Sequence, residues 1–443
     1  MGFNFQLLEH AGIQLIDGDR GKNYPKHNDL MEKGHCLFLS AKNVTKSGFQ
    51  FQETAFINEI KDCQLRAGKL RHGDIVLTTR GTVGNVAYYD STNPYKHIRI
   101  NSGMIIIRAD DKLWNPKFLY LILTSVFLQE QIVNLVSGSA VPQLPARDIK
   151  KFNLPIINKE IQNKIVNTIS VFSDKINVNI ATNRTLEQMS QTLFKSWFVV
   201  FDPVIDNALD AGNLIPEALQ SRAELRQKVR NSAAFKPLPA DIRTQFPAEF
   251  EETELGCIPK GWVTNRLENI LELAYGKALK KTERTNGDYP VYGSGGIDGT
   301  HNEYLVKGPG IIVGRKGTVG SLHWENKDFY PIDTVFFVKP KDYYSLVYCY
   351  QLLKTLGLEN MNTDAAVPGL NRNNAYRLEV VTPTQSIITK FTNIIQTIQH
   401  KMDSNHNETE NLTALRDTLL PKLIFGELSL EDLPDLVDQI EPA

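Results

Sequence analysis

The 443-residue chain has four cysteines, at 36, 63, 257 and 349, and no Cys-x-x-Cys pair. That excludes a cysteine zinc cluster and gives no disulfide framework, so the sequence predicts a reducing, cytoplasmic setting. No run of 18 uncharged apolar residues occurs, and the best stretch, Phe118–Leu128, is too short to cross a bilayer, so no membrane role is expected. The N-terminus, MGFNFQLLEHAG, lacks the basic start and long apolar core of a signal peptide. Charge of neither sign dominates: 49 Lys+Arg against 50 Asp+Glu rules out a uniformly basic nucleic-acid coat and an acidic disordered chain.

Catalytic signatures are equally scarce. Gly18–Lys22 (GDRGK) has neither the spacing nor the hydroxyl of a phosphate-binding loop. No G-x-G-x-x-G turn is present, and Gly293–Gly296 reads as a mobile turn. The nine histidines form no H-E-x-x-H or H-x-E…P-C-x-x-C group, and no G-x-S-x-G elbow exists. Asn93-Pro94-Tyr95 lacks the second proline of the Asn/Asp-Pro-Pro-aromatic loop expected of a base-modifying amino-methyltransferase. Asp202, Asp206 and Asp210 could imitate a nuclease site, but acidic residues beside a linker are usually only solvated.

What is present is written twice. Around Arg80 the chain reads HGDIVLTTRGTVGNVAYYD, and around Lys316 it reads GPGIIVGRKGTVGSLHWEN. Ser139–Leu144 (SAVPQL) echoes Ala365–Leu370 (AAVPGL), and Phe152–Ile156 loosely matches Glu379–Thr384. Gly317 lies 236 residues after Gly81, and Val367 lies 226 after Val141. Gly-Thr-Val-Gly alone is a common turn; several echoes in one order at nearly one offset point to a duplication.

Each copy ends in a proline, Pro155 or Pro383, followed by a long helix-forming segment. Ile165, Ile169, Phe172, Ile176, Asn179, Asn183, Leu186, Met189 and Leu193 step by threes and fours. Phe391, Ile395, Ile398, Met402, Asn405, Thr409, Leu412, Leu415 and Leu419 repeat that list position for position at an offset of 226. Such a seam favours a coiled coil; two amphipathic helices, each packing on its own domain, are the alternative. Asn179 and Asn405 fall at the midpoints, where buried amides would bond each other and fix the register. Connectivity favours antiparallel pairing, which would put the two mixed domains at opposite ends of a spacer.

The sequence therefore predicts an α+β protein: two similar mixed domains at 1–155 and 257–383, helices at 156–200 and 384–425 in an antiparallel coiled coil, and an internal pseudo-two-fold repeat. Residues 201–256 form a linker with a helix over Ile215–Arg230, residues 426–443 an acidic tail, and Pro116–Val136 a helix of the first domain. Residues 61–99 carry a net charge of +4 and residues 257–320 a net of +3. Basic side chains beside Thr, Asn, Tyr and Gly suit phosphates and base edges, and ordinary solvated faces are the plain alternative.

The residues then resemble a known family. Leu255–Trp262 (LGCIPKGW), Tyr275–Lys281 (YGKALKK), Tyr289–Ile297 (YPVYGSGGI), Gly314–Gly320 (GRKGTVG), Pro331–Thr334 (PIDT) and Leu420–Ile424 (LPKLI) are similar to type I restriction-modification specificity subunits. The resemblance covers nearly the whole chain and is weakest over residues 1–75. It implies two target-recognition domains reading a split site on double-stranded DNA, with the helices as ruler and docking surface. It also implies a subunit without catalysis of its own, joined to two methyltransferase subunits and two restriction subunits. S-adenosylmethionine, ATP and Mg²⁺ then belong to those partners, and this chain needs no cofactor or metal. The expected DNA contacts are Arg80 and Thr82 in the first domain, and Lys277, Lys280, Lys281, Ser294, Arg315, Lys316 and Thr318 in the second. Tyr275 and Tyr292 read as core side chains or as rings that stack on DNA. Two other readings are a single-chain modification or cleavage enzyme carrying its own recognition domains, and a scaffold that binds no DNA.

Overall fold

Strands that read as unbroken apolar runs, IVLT at Ile75–Thr78 and MIIIRA at Met104–Ala109, must be covered on both faces, because successive side chains point to opposite sides of a sheet. The structure, a computed structural model that describes residues 4–138, 142–233, 235–362 and 369–428, shows this arrangement in each of two compact units. The first unit comprises residues up to Val178 together with those from Glu408 onward; the second is Asn179–Asn407.

In the first unit, Ile13–Asp17, Met104–Ala109, Ile75–Thr78 and Val86–Tyr88 form an antiparallel four-stranded sheet in that order. Ile75, Leu77, Ile105 and Ile107 face one core with Phe118, Leu119 and Ile122, while Val76, Met104 and Ile106 face another with Leu37, Leu39 and Tyr89. A smaller sheet, Phe56–Ile57, Cys36–Phe38 and Ile98–Arg99, carries that second layer. The helix expected over Pro116–Val136 is two helices, Pro116–Thr124 and Val126–Leu135, bent by 65°. Ser125 breaks it: its backbone is extended and its Oγ donates to the carbonyl of Ile122 at 2.6 Å, satisfying a helix-end acceptor locally. No single helix is long and apolar enough to cross a membrane.

The second unit repeats the plan. Its four-stranded sheet runs Leu271–Tyr275, Val335–Pro340, Gly310–Gly314, Leu322–Glu325, and its three-stranded sheet runs Gly296–His301, Tyr289–Gly293, Tyr330–Pro331. The loose FNLPI and EVVTPT echo also has one structural meaning. Asn153–Pro155 pairs with Phe5–Leu7, and Glu379–Thr382 pairs with Val263–Arg266, each just before a long helix.

Those helices run Lys159–Phe198 and Gln385–Phe425, the second continuing through Pro421. The Asn158 side chain accepts from the amide of Glu160 at 2.8 Å, a local cap for the first of them. They pack against each other in opposite directions. In the first unit Ile165, Val166 and Ile169 share a core with Leu419, Leu420, Leu423 and Ile424, and Lys175 pairs with Glu408 at 3.4 Å. In the second unit Phe194, Trp197 and Phe198 meet Phe391. The heptad expectation drifts at one end. Met189, placed on the seam by the sequence, is 54% exposed, and Ser190, Phe194 and Trp197 are buried in its place. The helix there follows its own 3.6-residue period into an aromatic core instead of a 3.5-residue two-helix seam.

At the midpoint, Asn405 Nδ2 donates to Asn183 Oδ1 at 2.8 Å, Asn183 Nδ2 to the Met402 carbonyl at 2.9 Å, and Asn179 Nδ2 to the Asn405 carbonyl at 3.5 Å. Asn179 and Asn405 are almost fully buried. Asn183 thus joins Asn179 and Asn405 in the layer, as a side-chain partner of Asn405.

The linker is folded within the second unit. Helices Asp202–Ala211 and Gln220–Arg230 are joined by a ladder: Arg222 binds Asp202 at 2.7 Å, Arg226 binds Asp206, and Arg230 and Arg243 bind Asp210. Four-residue spacing puts the three carboxylates on one helix face, and each is neutralised by a guanidinium. Hydrogen bonds from Arg243 and Arg230 hold the Asp210 carboxyl below the usual carboxylate range. These residues are structural. Most of the acidic tail, 429–443, and residues 139–141 and 365–368 of the Ala-Val-Pro echo lie outside the described residues.

Candidate nucleic-acid interface

The two Gly-Thr-Val-Gly segments are the turns joining strands Ile75–Thr78 to Val86–Tyr88 and Gly310–Gly314 to Leu322–Glu325. Both are tied down by the same bonds. The amide of Gly84 donates to Thr78 O at 3.0 Å, and that of Gly320 to Gly314 O at 2.8 Å. Thr79 and Arg80 donate to Gly103 O, just as Arg315 and Lys316 donate to Thr334 O. Leu144 donates to Thr79 O at 3.0 Å, and Leu370 to Arg315 O at 2.8 Å, so Arg80 bridges Gln143 and Lys316 bridges Gly369. The Gly-Thr-Val-Gly turn and the last two residues of the second echo, Gln143-Leu144 in one copy and Gly369-Leu370 in the other, are therefore hydrogen-bonded neighbours. In the sequence the two echoes are linked only by recurring in the same order in both copies.

On this frame Arg80, Thr82, Lys316 and Thr318 are all exposed. The Thr82 carbonyl accepts from Thr78 Oγ1, which holds the turn from below. In the second copy the hairpin turn at Ser294 adjoins the loop: Thr318 N donates to Ser294 Oγ at 3.4 Å, and Ser321 Oγ donates to the Ser294 carbonyl at 2.6 Å. Lys277 is exposed at the end of strand Leu271–Tyr275, its amide bonded to Pro331 O at 3.0 Å. Lys280 and Lys281 have different neighbours. Lys280 faces Glu283 at 3.7 Å and Lys281 faces Asp298 at 2.9 Å, so both carry carboxylate partners.

Tyr292 and Tyr275 part company. Tyr292 is buried and donates to Glu325 Oε2 at 2.9 Å. Tyr275 is 49% exposed, and the guanidinium carbons of Arg315 and Arg372 lie 4.8 and 4.7 Å from its ring centroid. Arg372 was not singled out by the sequence, because nothing local to it announces a neighbour 97 residues earlier.

Exposed cations and hydroxyls of this kind can engage phosphates and base edges. Among the described residues no three His, Cys, Asp or Glu side chains come together as metal ligands. All four cysteines are free, and burial pushes the thiols of Cys36 and Cys349 up to about 12, far from a reactive thiolate.

The type I restriction enzyme HindI specificity subunit of Haemophilus influenzae is 28% identical, over 93% of this chain and 98% of its own length. The MjaIX specificity subunit of Methanocaldococcus jannaschii is 25% identical, over 84% of this chain and 81% of its own. The crystal structure of the type I restriction-modification S subunit from M. genitalium shares the fold, with a TM-score of 0.52, 19% identity and 97% of each chain covered. The profile of the type I restriction modification DNA specificity domain matches residues 14–188 and again residues 259–413. The chain belongs to the family of type I restriction-modification specificity subunits, and carries that family's domain twice.

Proposed function

We propose that this chain supplies sequence recognition to a type I restriction-modification complex: each domain reads one half of a split site on duplex DNA, and the long helices set the number of unread base pairs between. The observation that carries this is the repeated turn. Two copies of one exposed Gly-Thr-Val-Gly loop, each locked by the same three sets of backbone bonds, present a cation and a threonine at matching positions twice. Arg80 and Lys316 would neutralise phosphates, with Thr82, Thr318 and Ser294 positioned beside them. Lys277 adds an exposed cation near the second loop, and Lys280 and Lys281 would reach DNA only by leaving Glu283 and Asp298.

In this reading the chain catalyses nothing. Methyl transfer and ATP-dependent cleavage belong to two methyltransferase and two restriction subunits, which hold S-adenosylmethionine, ATP and Mg²⁺, and the complex works in the cytoplasm. The test is reconstitution. The chain with its methyltransferase subunits should retard and methylate duplex carrying a split site, while the chain alone with S-adenosylmethionine transfers no methyl group. Methyl transfer by the chain alone would overturn the assignment of catalysis to partners. Failure of the full complex to retain any DNA would overturn the assignment of DNA reading.

A further inference from the structure

Duplication separates two kinds of contact. Contacts to the phosphate backbone are independent of sequence and should repeat in both copies, whereas contacts that read different half-sites should differ between copies at matching places. The turn repeats: Arg80 and Lys316, Thr82 and Thr318 occupy matching positions.

The Tyr275 cluster does not repeat. Tyr275 pairs with Phe336 in register, and its counterpart is Asp17, which pairs with Ile105 at the same point of the corresponding sheet. Arg315 precedes Lys316 where Thr79 precedes Arg80, and Thr79 is buried and uncharged. Arg372 opens the short helix Arg372–Tyr376 where Ala146 opens Ala146–Ile149. In the first copy Asp17 instead binds Arg20 at 2.9 Å, giving a neutral pair, and Arg20 also reaches the Ser102 carbonyl at 3.4 Å.

In the second copy two guanidiniums rest on one half-exposed ring with no carboxylate partner among the described residues. Arg315 donates to the Asp333 carbonyl at 3.1 Å. The Arg372 side chain makes no hydrogen bond or ion pair among the described residues, and its buried Nε is unsatisfied. Tyr376 adds a second ring 5.6 Å from Arg372, and the Tyr376 hydroxyl is itself fixed as the acceptor of Leu273 N at 2.9 Å. A guanidinium stacked on an aromatic face keeps its in-plane N–H edge free, and that edge matches a pair of acceptors.

We propose that Arg315 and Arg372, held on Tyr275, read a guanine through its O6 and N7 acceptors in the half-site of the second domain. This rests on the proposed reading of the chain as a DNA reader. Its ligand chemistry, two adjacent acceptor oxygens or nitrogens, is shared by a phosphate, so the experiment separates the two. Cells carrying the complete system with Arg372→Gln, Arg315→Gln or Tyr275→Ala are sequenced for modified sites, and the purified complexes are titrated with duplexes that vary each base pair.

Each variant should relax one G·C position of one half-site, losing discrimination there by roughly 5- to 150-fold, with the other half-site unchanged. A uniform loss of affinity on every sequence, with a salt slope shallower by about one, would identify a phosphate contact and overturn the proposal. An unrelaxed motif from variant complexes that assemble and methylate would overturn it as well. A wild-type complex that modifies no split site would instead sink the DNA-reading assignment, so the two failures are distinguishable.

Discussion

Two glycines of one loop, Gly317 and Gly320, test whether the shape of the turn, beyond its charge, creates the DNA surface. Both have left-handed backbone, with φ of 85° and 69°, so an alanine at either costs about 1–2 kcal/mol of strain. Their surroundings differ. A Cβ on Gly317 would meet only Ser294 Oγ at 3.1 Å, an atom that can rotate aside. A Cβ on Gly320 would lie 2.4 Å from the amide nitrogen of Glu359 and 2.4 Å from the carbonyl carbon of Leu358, which are backbone atoms of the turn Leu358–Asn360. Relieving that overlap requires moving one backbone segment past another, adding about 1–3 kcal/mol. Gly320→Ala therefore disfavours the native loop by about 3 kcal/mol or more, and Gly317→Ala by about 1. If binding requires the native loop, Gly320→Ala weakens DNA affinity by up to about 100-fold, and Gly317→Ala by less than about 10-fold. The assay is titration of the reconstituted methylase complex on duplex carrying its own site, at fixed salt. Hydrogen exchange at the Gly320 amide, which donates to Gly314 O, reports the loop directly. Equal effects of the two substitutions, or wild-type binding by Gly320→Ala, would refute the reasoning.

Other outcomes are expected. Lys316→Ala should lower affinity for all sequences alike and flatten the dependence on salt by about one unit; an unchanged slope removes Lys316 from the phosphate contacts. Matched insertions of seven residues in both helices, between Asn183 and Leu186 and opposite them, lengthen the pair by about 10 Å, or roughly three base pairs. Sequencing of modified sites should then show a longer spacer with unaltered halves, and an unaltered spacer refutes the ruler. Asp62 is buried and binds Lys69 and Arg99, each at 2.5 Å. Burial alone would raise its carboxyl, but hydrogen bonds from Lys69 and Arg99 outweigh it and hold the group at about 2, below its ordinary 3.8. The depressed value means the stabilisation, about 2 kcal/mol, is complete above pH ~4 and is lost as pH falls through about 2. Asp62→Asn leaves the buried Arg99 without its counter-charge and should cost the first unit about 3 kcal/mol in urea unfolding, with a flatter acid limb between pH 4 and 2. A loss under about 1 kcal/mol would contradict this.

The parts of the protein that were legible in one dimension are those built from local periodicity or from repetition. The long helices follow from forty-residue apolar stripes without glycine, and their antiparallel pairing from the connectivity. Both Gly-Thr-Val-Gly turns were visible because the chain repeats them. Met189 was misplaced on the seam because a heptad count cannot tell where a two-helix seam gives way to a globular core, and there Phe194 and Trp197 took its place. Pro116–Val136 was read as one helix because Ser125 is compatible with a helix interior until its hydroxyl finds the Ile122 carbonyl.

Which cations are free to meet DNA was decided by tertiary structure alone. In sequence Lys281 and Arg315 look alike; folding gives Lys281 the carboxylate of Asp298 and gives Arg315 the ring of Tyr275. Arg372 reaches that ring from 97 residues away. Composition and spacing therefore determined that the chain is duplicated, helix-linked and basic at two turns, because those properties are local. The electrostatic state of each side chain was settled only by folding, because it depends on neighbours that the chain brings together from far apart.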